Sequence, residues 1–355
     1  MKKYCFLMIL FAGFMEKTYS QAEVDTTSTI MLAENQEAEQ AYNQGLEEIK
    51  NRNYTYALSH FTDALKYKPD LYQAYNGRGT AYLLMKDYQN AIREFRKALK
   101  MNPQNKGSLY YNIAIAYQLD HQYDSAINNL KLAEKTAFKS PKVYYNMGFC
   151  LYQQGKYTEA IAAYDKAIAA DPKYADAYND RGSAKRQAGD LEGAIQDYSE
   201  AINISPKAMY YDNRGTAYRR MKLFGEAIED YTMALRLSPD AYAIYNNQGS
   251  ARYDKGDYQE AIEDYKKAIS LKPDYAPAYN NLGTVYYVIQ NYPEALKALN
   301  KAIELNPSYG YAYFNRGNVK EELKDVEGAV NDWKKAASLG LKLAETNIDD
   351  YKKKK

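Results

Sequence analysis

The chain has 355 residues, room for two ordinary globular domains, so length alone decides little. Forty tyrosines against nine phenylalanines and one tryptophan, 46% hydrophobic residues and a mean hydropathy of -0.68 describe amphipathic surface spread thinly along an elongated array, not one deep core. A net charge of +2 carries no basic excess, which speaks against nucleic acid as a partner.

In chain order, Lys2 and Lys3, an apolar run from Tyr4 to Met15 and the small residues around Ser20 and Ala22 predict a bacterial-type signal peptide over 1–20. Cleavage after Ser20 makes the chain exported, either periplasmic or secreted. The apolar run is shorter than the ~18–20 residues a spanning helix needs, which leaves a retained anchor as the alternative. No other stretch is long enough, so no membrane span is expected in the mature chain. Cys5 lies inside the signal, and Cys150 is then the only mature cysteine, without a partner for an internal disulfide. Residues 21–37 read as a linker, with Ile30, Met31 and Leu32 as candidates to dock on the first structured unit.

From residue 38 the chain repeats. A small residue recurs at Gly45, Gly79, Ala114, Gly148, Gly182, Gly215, Gly249, Gly283 and Gly317, in steps of 33 to 35 residues. Two alanine ladders keep the same phase, one running from Ala57 and Ala91 to Ala329, the other from Ala64 and Ala98 to Ala336. Between them stands a large residue: Phe61, Phe95, Leu130, Tyr164, Tyr198, Tyr231, Tyr265, Leu299 or Trp333. Prolines at 69, 103, 172, 206, 239, 273 and 307 close seven of the nine units.

Within a unit, large and small residues fall at helical spacing, as in Tyr245, Gly249 and Tyr253 followed by Ala261, Tyr265 and Ala268, which predicts two helices. Gly189-Asp190 and Gly256-Asp257 read as a helix C-terminus followed by an N-cap. The proline stops the second helix, because it lacks an N–H and clashes with the preceding turn.

The period, the aromatic four residues before the glycine, the alanine–aromatic–alanine triplet and the closing proline resemble the tetratricopeptide repeat family. The resemblance implies an all-α, right-handed superhelical solenoid of nine helix-turn-helix repeats: 38–71, 72–105, 107–140, 141–174, 175–207, 208–241, 242–275, 276–309 and 310–343. Ala114 replaces glycine in the third unit, and Phe138 and Leu341 stand where the third and ninth would have proline. Ala344, Ile348 and Tyr351 continue an apolar stripe, predicting a capping helix over 344–355 that ends in a solvated tail, Lys352 to Lys355.

Nine copies allow one position to be read against another. Arg78, Arg181, Arg214 and Arg316 stand just before the small residue, and sixteen residues later come Glu94, Asp197, Asp230 and Asp332. Units with Gln44, Ile113, Met147 and Leu282 have His60, Asn129, Ala163 and Ala298 instead; Gln248 with Asp264 is the exception. The pattern predicts charge-assisted bonds between the two helices of a unit. An arginine row for phosphate is the competing reading.

The resemblance also implies that the face of each first helix turned from its core lines a concave groove for extended or helical peptides. Two before the small residue stand Asn43, Asn112, Asn146, Asn213, Asn247, Asn281 and Asn315. Such a row is suited either to holding a peptide backbone or to packing between adjacent first helices.

The rest of that face is apolar in units three and four, with Tyr111, Ile115, Tyr145 and Phe149 and with Tyr152 at the edge. In units five to eight it is polar: Asn179, Asp180, Ser183, Asp212, Thr216, Asn246, Ser250, Asn280 and Thr284. The apolar stretch is a candidate contact for an apolar side chain, unless its rings fold onto one another. Arg186, Arg219 and Arg220 border the polar half, as receivers of an acidic group or as ordinary surface charge. No unit has lysine three before the small residue, so the Lys-and-Asn clamp of chaperone-binding relatives is missing.

His60 and His121 are the only histidines and neither has a ligand cluster, so no metal or cofactor is expected. Cys150 fills a slot held elsewhere by Ala81, Ala116, Ala184, Ala217 and Ala251, that of a small core residue. These readings predict no enzyme but an exported scaffold whose groove binds a protein or peptide partner. The alternative is a structural assembly component of a cell-envelope complex, or a self-associating scaffold with an empty groove; the oligomeric state stays open.

Overall fold

The computed structural model describes residues 36–101, 104 and 106–353. The signal peptide read over 1–20, most of the 21–37 linker and Pro103 lie outside the described residues.

Among the described residues there are nineteen helices and no strand. Eighteen form nine pairs. In the first four repeats these are α1 (Gln36–Lys50) with α2 (Tyr54–Tyr67), α3 (Tyr72–Leu84) with α4 (Tyr88–Lys100), α5 (Lys106–Leu119) with α6 (Tyr123–Glu134), and α7 (Pro141–Gln153) with α8 (Tyr157–Ala170). The fifth and sixth pair α9 (Ala175–Ala188) with α10 (Leu191–Ile204) and α11 (Ala208–Arg220) with α12 (Phe224–Leu237). The last three pair α13 (Tyr242–Lys255) with α14 (Tyr258–Leu271), α15 (Ala276–Val288) with α16 (Tyr292–Leu305), and α17 (Gly310–Glu322) with α18 (Val326–Ser338); α19 (Leu343–Lys353) comes last.

The chain divides into two compact units, one holding α1–α10 and the other α11–α19. In each, every helix packs on the next, and each first helix also touches the first helix of the following repeat. This side-by-side row of first helices carries the face of interest. No single helix pair can bury its apolar surface alone, so neighbour contacts stabilise such an array.

The pairs close by large-into-small packing. All eighteen ladder alanines are fully buried, and the large residue between them reaches across to the glycine of the first helix. A Cβ on Gly79 would lie 2.6 Å from the Phe95 ring, and one on Gly317 would lie 2.6 Å from Trp333 Nε1. Each ring buried in this way contributes ~1.5–3 kcal/mol. Six second helices end two residues before a proline, at Tyr67, Ala170, Ile204, Leu237, Leu271 and Leu305. In the third repeat Phe138 takes over from proline and packs on Tyr111, with ring centroids 5.8 Å apart.

Three expectations need correction. The joint between the helices of a repeat passes through a left-handed residue each time, but glycine supplies it only at Gly155, Gly189 and Gly256; Arg52, Lys86, His121, Lys222, Gln290 and Lys324 hold it in the other six. Asp190 accepts from the Gly193 amide at 2.9 Å as an N-cap does, whereas Asp257 makes no cap bond and pairs with Lys255 Nζ at 2.7 Å. The terminal boundaries also move. The first helix takes in Gln36 and Glu37 from the linker, and α19 runs through Lys352 and Lys353 of the expected tail. It caps the array by burying Ala344 beside Phe314 and Trp333, with Leu341 and Ile348 packed around them. Lys354, Lys355 and the Tyr351 side chain lie outside the described residues.

Candidate functional site

The arginine before each glycine forks onto the acid sixteen residues later. Arg181 Nε and Nη2 donate to the two Asp197 oxygens at 2.9 and 2.6 Å, Arg214 to Asp230 at 2.8 and 2.8 Å, and Arg316 to Asp332 at 2.8 and 2.6 Å. Arg78 Nε reaches Glu94 at 2.8 Å. The acids are buried and the arginines half-buried, so these pairs are desolvated; the three with aspartate are bidentate, while both Arg78 nitrogens donate to Glu94 Oε2.

Three of these forks also reach backward. Arg78 Nη1 donates to Thr62, Arg181 Nη1 to Asp165 and Arg316 Nη1 to Asn300, all sixteen residues earlier on the preceding second helix. Gln248 makes the same backward bond to Thr232 at 2.7 Å. One side chain thus ties two successive repeats.

The asparagine row is largely occupied by the protein itself. Asn112, Asn146, Asn247 and Asn281 are buried, Asn213 and Asn315 half-buried, and Asn43 is exposed. Each bonded amide reaches the residue three before the glycine of the preceding repeat: Asn112 to Asn76 (3.1 Å), Asn146 to the Tyr111 hydroxyl (3.1 Å), Asn247 to Asp212 (2.9 Å), Asn281 to Asn246 (2.9 Å) and Asn315 to Asn280 (2.9 Å). Adjacent first helices lie close enough for this bond and so shield the amides. The reading of the row as a line of open backbone contacts is corrected accordingly.

The aromatic stretch is partly folded on itself. Tyr111 and Ile115 are 3% exposed and belong to the core, whereas Tyr145, Phe149 and Tyr152 are half-buried at its edge. The Tyr145 ring lies 4.9 Å from Tyr174 and 5.8 Å from Tyr164, and its hydroxyl donates to Asp180 Oδ2 at 2.7 Å. Burial, with the Asp180 charge added, holds the Tyr145 phenol well above its ordinary pKa.

In the polar half, Ser183, Thr216 and Ser250 sit 3.1–3.2 Å from the hydroxyls of Tyr198, Tyr231 and Tyr265. Arg219 pairs with Asp254 at 2.7 Å, and Arg186 donates to the Tyr198 hydroxyl at 3.2 Å. Sequence reasoning missed this seryl–tyrosyl contact, although the signal was present: tyrosine in the second helix accompanies Ser or Thr just after the glycine.

Among the described residues, no three His, Cys, Asp or Glu side chains group as a metal site, and no helix is long and apolar enough to cross a membrane. Cys150 is fully buried, and burial pushes its thiol up to about 12, so it has no thiolate character at neutral pH. His121 stands in a turn, 3.0 Å from the Tyr123 hydroxyl.

Compared with known proteins, the chain matches profiles described as tetratricopeptide repeat over residues 42–106, 147–208, 209–241 and 276–309, and as TPR repeat over 249–290. A profile of anaphase-promoting complex, cyclosome, subunit 3 matches 84–167. Among solved structures, MamA is 31% identical, with 46% of this chain and 96% of MamA covered and a TM-score of 0.41. A tetratricopeptide repeat protein from Parabacteroides merdae is 21% identical over 68% of this chain and 97% of its own, at a TM-score of 0.57. The C-terminal part of a TPR repeat-containing protein from Cytophaga hutchinsonii is 22% identical over 67% and 97%, at 0.55. No curated protein matches the chain. These last two structures speak to the fold alone. The repeat profiles make it a scaffold fold consistent with protein–protein interaction. With its nine packed helix pairs and profile matches over more than half of its length, the chain belongs to the tetratricopeptide repeat family.

Proposed function

We propose that the protein is a non-catalytic, exported scaffold that binds a protein or peptide partner on the first-helix face of repeats three to five. The observation that carries this reading is Phe149. It occupies the position held by Ser183, Thr216 and Ser250 in later repeats, yet remains half-buried beside Tyr145 and Tyr152. A ring left partly in water where its counterparts are hydroxyls suits a side-chain contact.

Export is supported by the basic start and apolar run of residues 1–20. Cell fractionation followed by N-terminal sequencing tests it, with Gln21 expected as the first residue and a chain retained in the cytoplasm counting against it.

A peptide-display screen tests the site. Binders selected on the wild type should lose affinity for Phe149→Asp while keeping it for Tyr56→Ser, a change on the exposed second helix of repeat 1. Undiminished binding to Phe149→Asp moves the site elsewhere. Tyr56 and Tyr67, 67% and 53% exposed on that helix, favour a second reading as an assembly component. A stable oligomer in solution with no peptide binders would select it.

A further inference from the structure

The second helices of repeats two and three carry cations that the chain does not neutralise. Arg93, Arg96, Lys97 and Lys100 fall at helical spacing on one face of α4. The one acid of that helix, Glu94, is buried and already holds both Arg78 and Lys97. On α6 and just past its end, Lys131 and Lys135 repeat the positions of Arg96 and Lys100. Arg93, Arg96, Lys100, Lys131 and Lys135 are exposed, and among the described residues none of the five is paired with an acid. Arg93 Nη2 donates to the Asn90 side-chain oxygen and Arg96 Nη2 to the Tyr117 hydroxyl at 2.7 Å, both neutral acceptors that fix the arginine without cancelling its charge.

Register explains why cations stand here. The position of Arg96 and Lys131 elsewhere accepts from the following repeat: Thr62 from Arg78, Asp165 from Arg181, Thr232 from Gln248 and Asn300 from Arg316. Repeats three and four have Ile113 and Met147 in place of that donor, so the chain needs no acceptor before them. Lys266 fills the same position before Leu282, but there an acid, Glu263, stands one turn away where repeat two has Arg93. Both α4 and α6 pack on α5. Between α6 and α8 Lys166 reaches Glu134 at 3.1 Å, and the matching positions between α4 and α6 are Leu132 and Leu99. Beside the cations, Leu132 and Met101 are 41% and 40% exposed.

We infer that the second-helix face of repeats two and three docks an acidic segment of a protein partner. Carboxylates of that segment pair with Arg93 and Arg96 on one helix and with Lys131 and Lys135 on the other, and an apolar residue between them covers Leu132. Arginines held in place by Asn90 and Tyr117 suit carboxylates carried on a polypeptide, and the half-sunk Leu132 and Met101 are poor wedges for a bilayer. This surface is separate from the first-helix face around Phe149 and does not rest on the reading given for it.

The test titrates the full chain with three labelled peptide pools, random except for glutamate, glutamine or lysine fixed at four alternate positions. The glutamate pool should bind at least ~10-fold tighter than the glutamine pool and lose most of that advantage in high salt. Arg93→Gln with Lys131→Gln, one exposed cation from each helix, should remove the preference at unchanged Tm. Lys334→Gln with Lys335→Gln, which removes two exposed cations from α18, should keep it. A glutamine pool that binds as tightly, or a preference lost equally in the α18 variant, overturns the inference. A preference lost in Phe149→Asp seats the acidic segment on the first-helix face, so that this inference falls while the peptide-binding reading stands. Failure of the glutamate pool to bind overturns it too, and capture of the chain by phosphatidylglycerol vesicles through Arg93 and Lys131 would then assign the surface to lipid.

Discussion

Arg252 stands 2.9 Å from Asp264 and supplies, from three residues after Gly249, the charge that Arg78, Arg181, Arg214 and Arg316 supply from one residue before their glycines. The substitution is incomplete. Arg252 Nη1 donates to the Glu260 carbonyl at 3.4 Å, and Asp264 Oδ2, though in ion-pair contact, receives no aligned hydrogen bond. By contrast Asp197 and Asp332 each receive a full arginine fork and a lysine at 2.9 Å, from Lys185 and Lys320.

Burial, against the weaker pull of Arg252, lifts Asp264 from 3.8 to about 7. Between those values the unfolded chain has lost a proton that the folded chain still holds, so this group's contribution to stability falls as pH rises from about 4 to about 7. At ~1.4 kcal/mol per pKa unit the change amounts to a few kcal/mol. Asp264→Asn should flatten that part of the profile and gain stability relative to wild type at pH 8, measured by denaturant titration at several pH values. Parallel profiles for the two proteins would count against the assignment.

Among the described residues Asp230 has one cation in bonding contact, Arg214, and burial raises its pKa despite that pairing. Arg214→Met leaves a buried carboxylate unpaired and is expected to cost ~3–5 kcal/mol. Combining it with Asp230→Ala should recover part of the loss, with ~0.5–3 kcal/mol of coupling. Strict additivity in the cycle would mean that the fork is geometric only.

The glycines differ in what faces them. An alanine at 249 would bring Cβ to 2.9 Å from the Tyr265 ring and 3.1 Å from Asp264 Cβ, and should destabilise by ~1–3 kcal/mol. At 283 the contacts are Leu299 Cγ at 2.7 Å and the Ala295 carbonyl at 3.2 Å, and the third repeat already carries the corresponding pair, Ala114 with Leu130, in its core. Gly283→Ala should therefore cost less, because the helix gains up to ~1 kcal/mol from the added methyl. Thermal melts of both variants decide, and equal losses would refute the distinction.

Gln290 (φ 62) and Lys324 (φ 67) hold left-handed positions that Gly189 and Gly256 fill in their own repeats. Gln290→Gly and Lys324→Gly should each stabilise by ~0.5–1 kcal/mol, the relief of backbone strain less the entropy of a freer unfolded chain. A fall in Tm for both would show that the side chains contribute more than the strain removes.

Much of this was legible from residue spacing. A period of about 34 with small and large residues in fixed phase determines two helices per repeat and which faces they bury, because helical geometry makes contacts within a repeat local in sequence. The Arg214–Asp230 fork was legible for the same reason: sixteen residues span one turn between two antiparallel helices, and nine copies let the pair be recognised. What only the tertiary structure decided lies 35 residues apart, between repeats. Spacing within one unit could not show that Asn281 bonds to Asn246, that Asn247 bonds to Asp212, or that Asn315 bonds to Asn280. Those outcomes depend on how closely neighbouring first helices approach, a distance set by the packing of whole repeats and not by the identity of any residue within one.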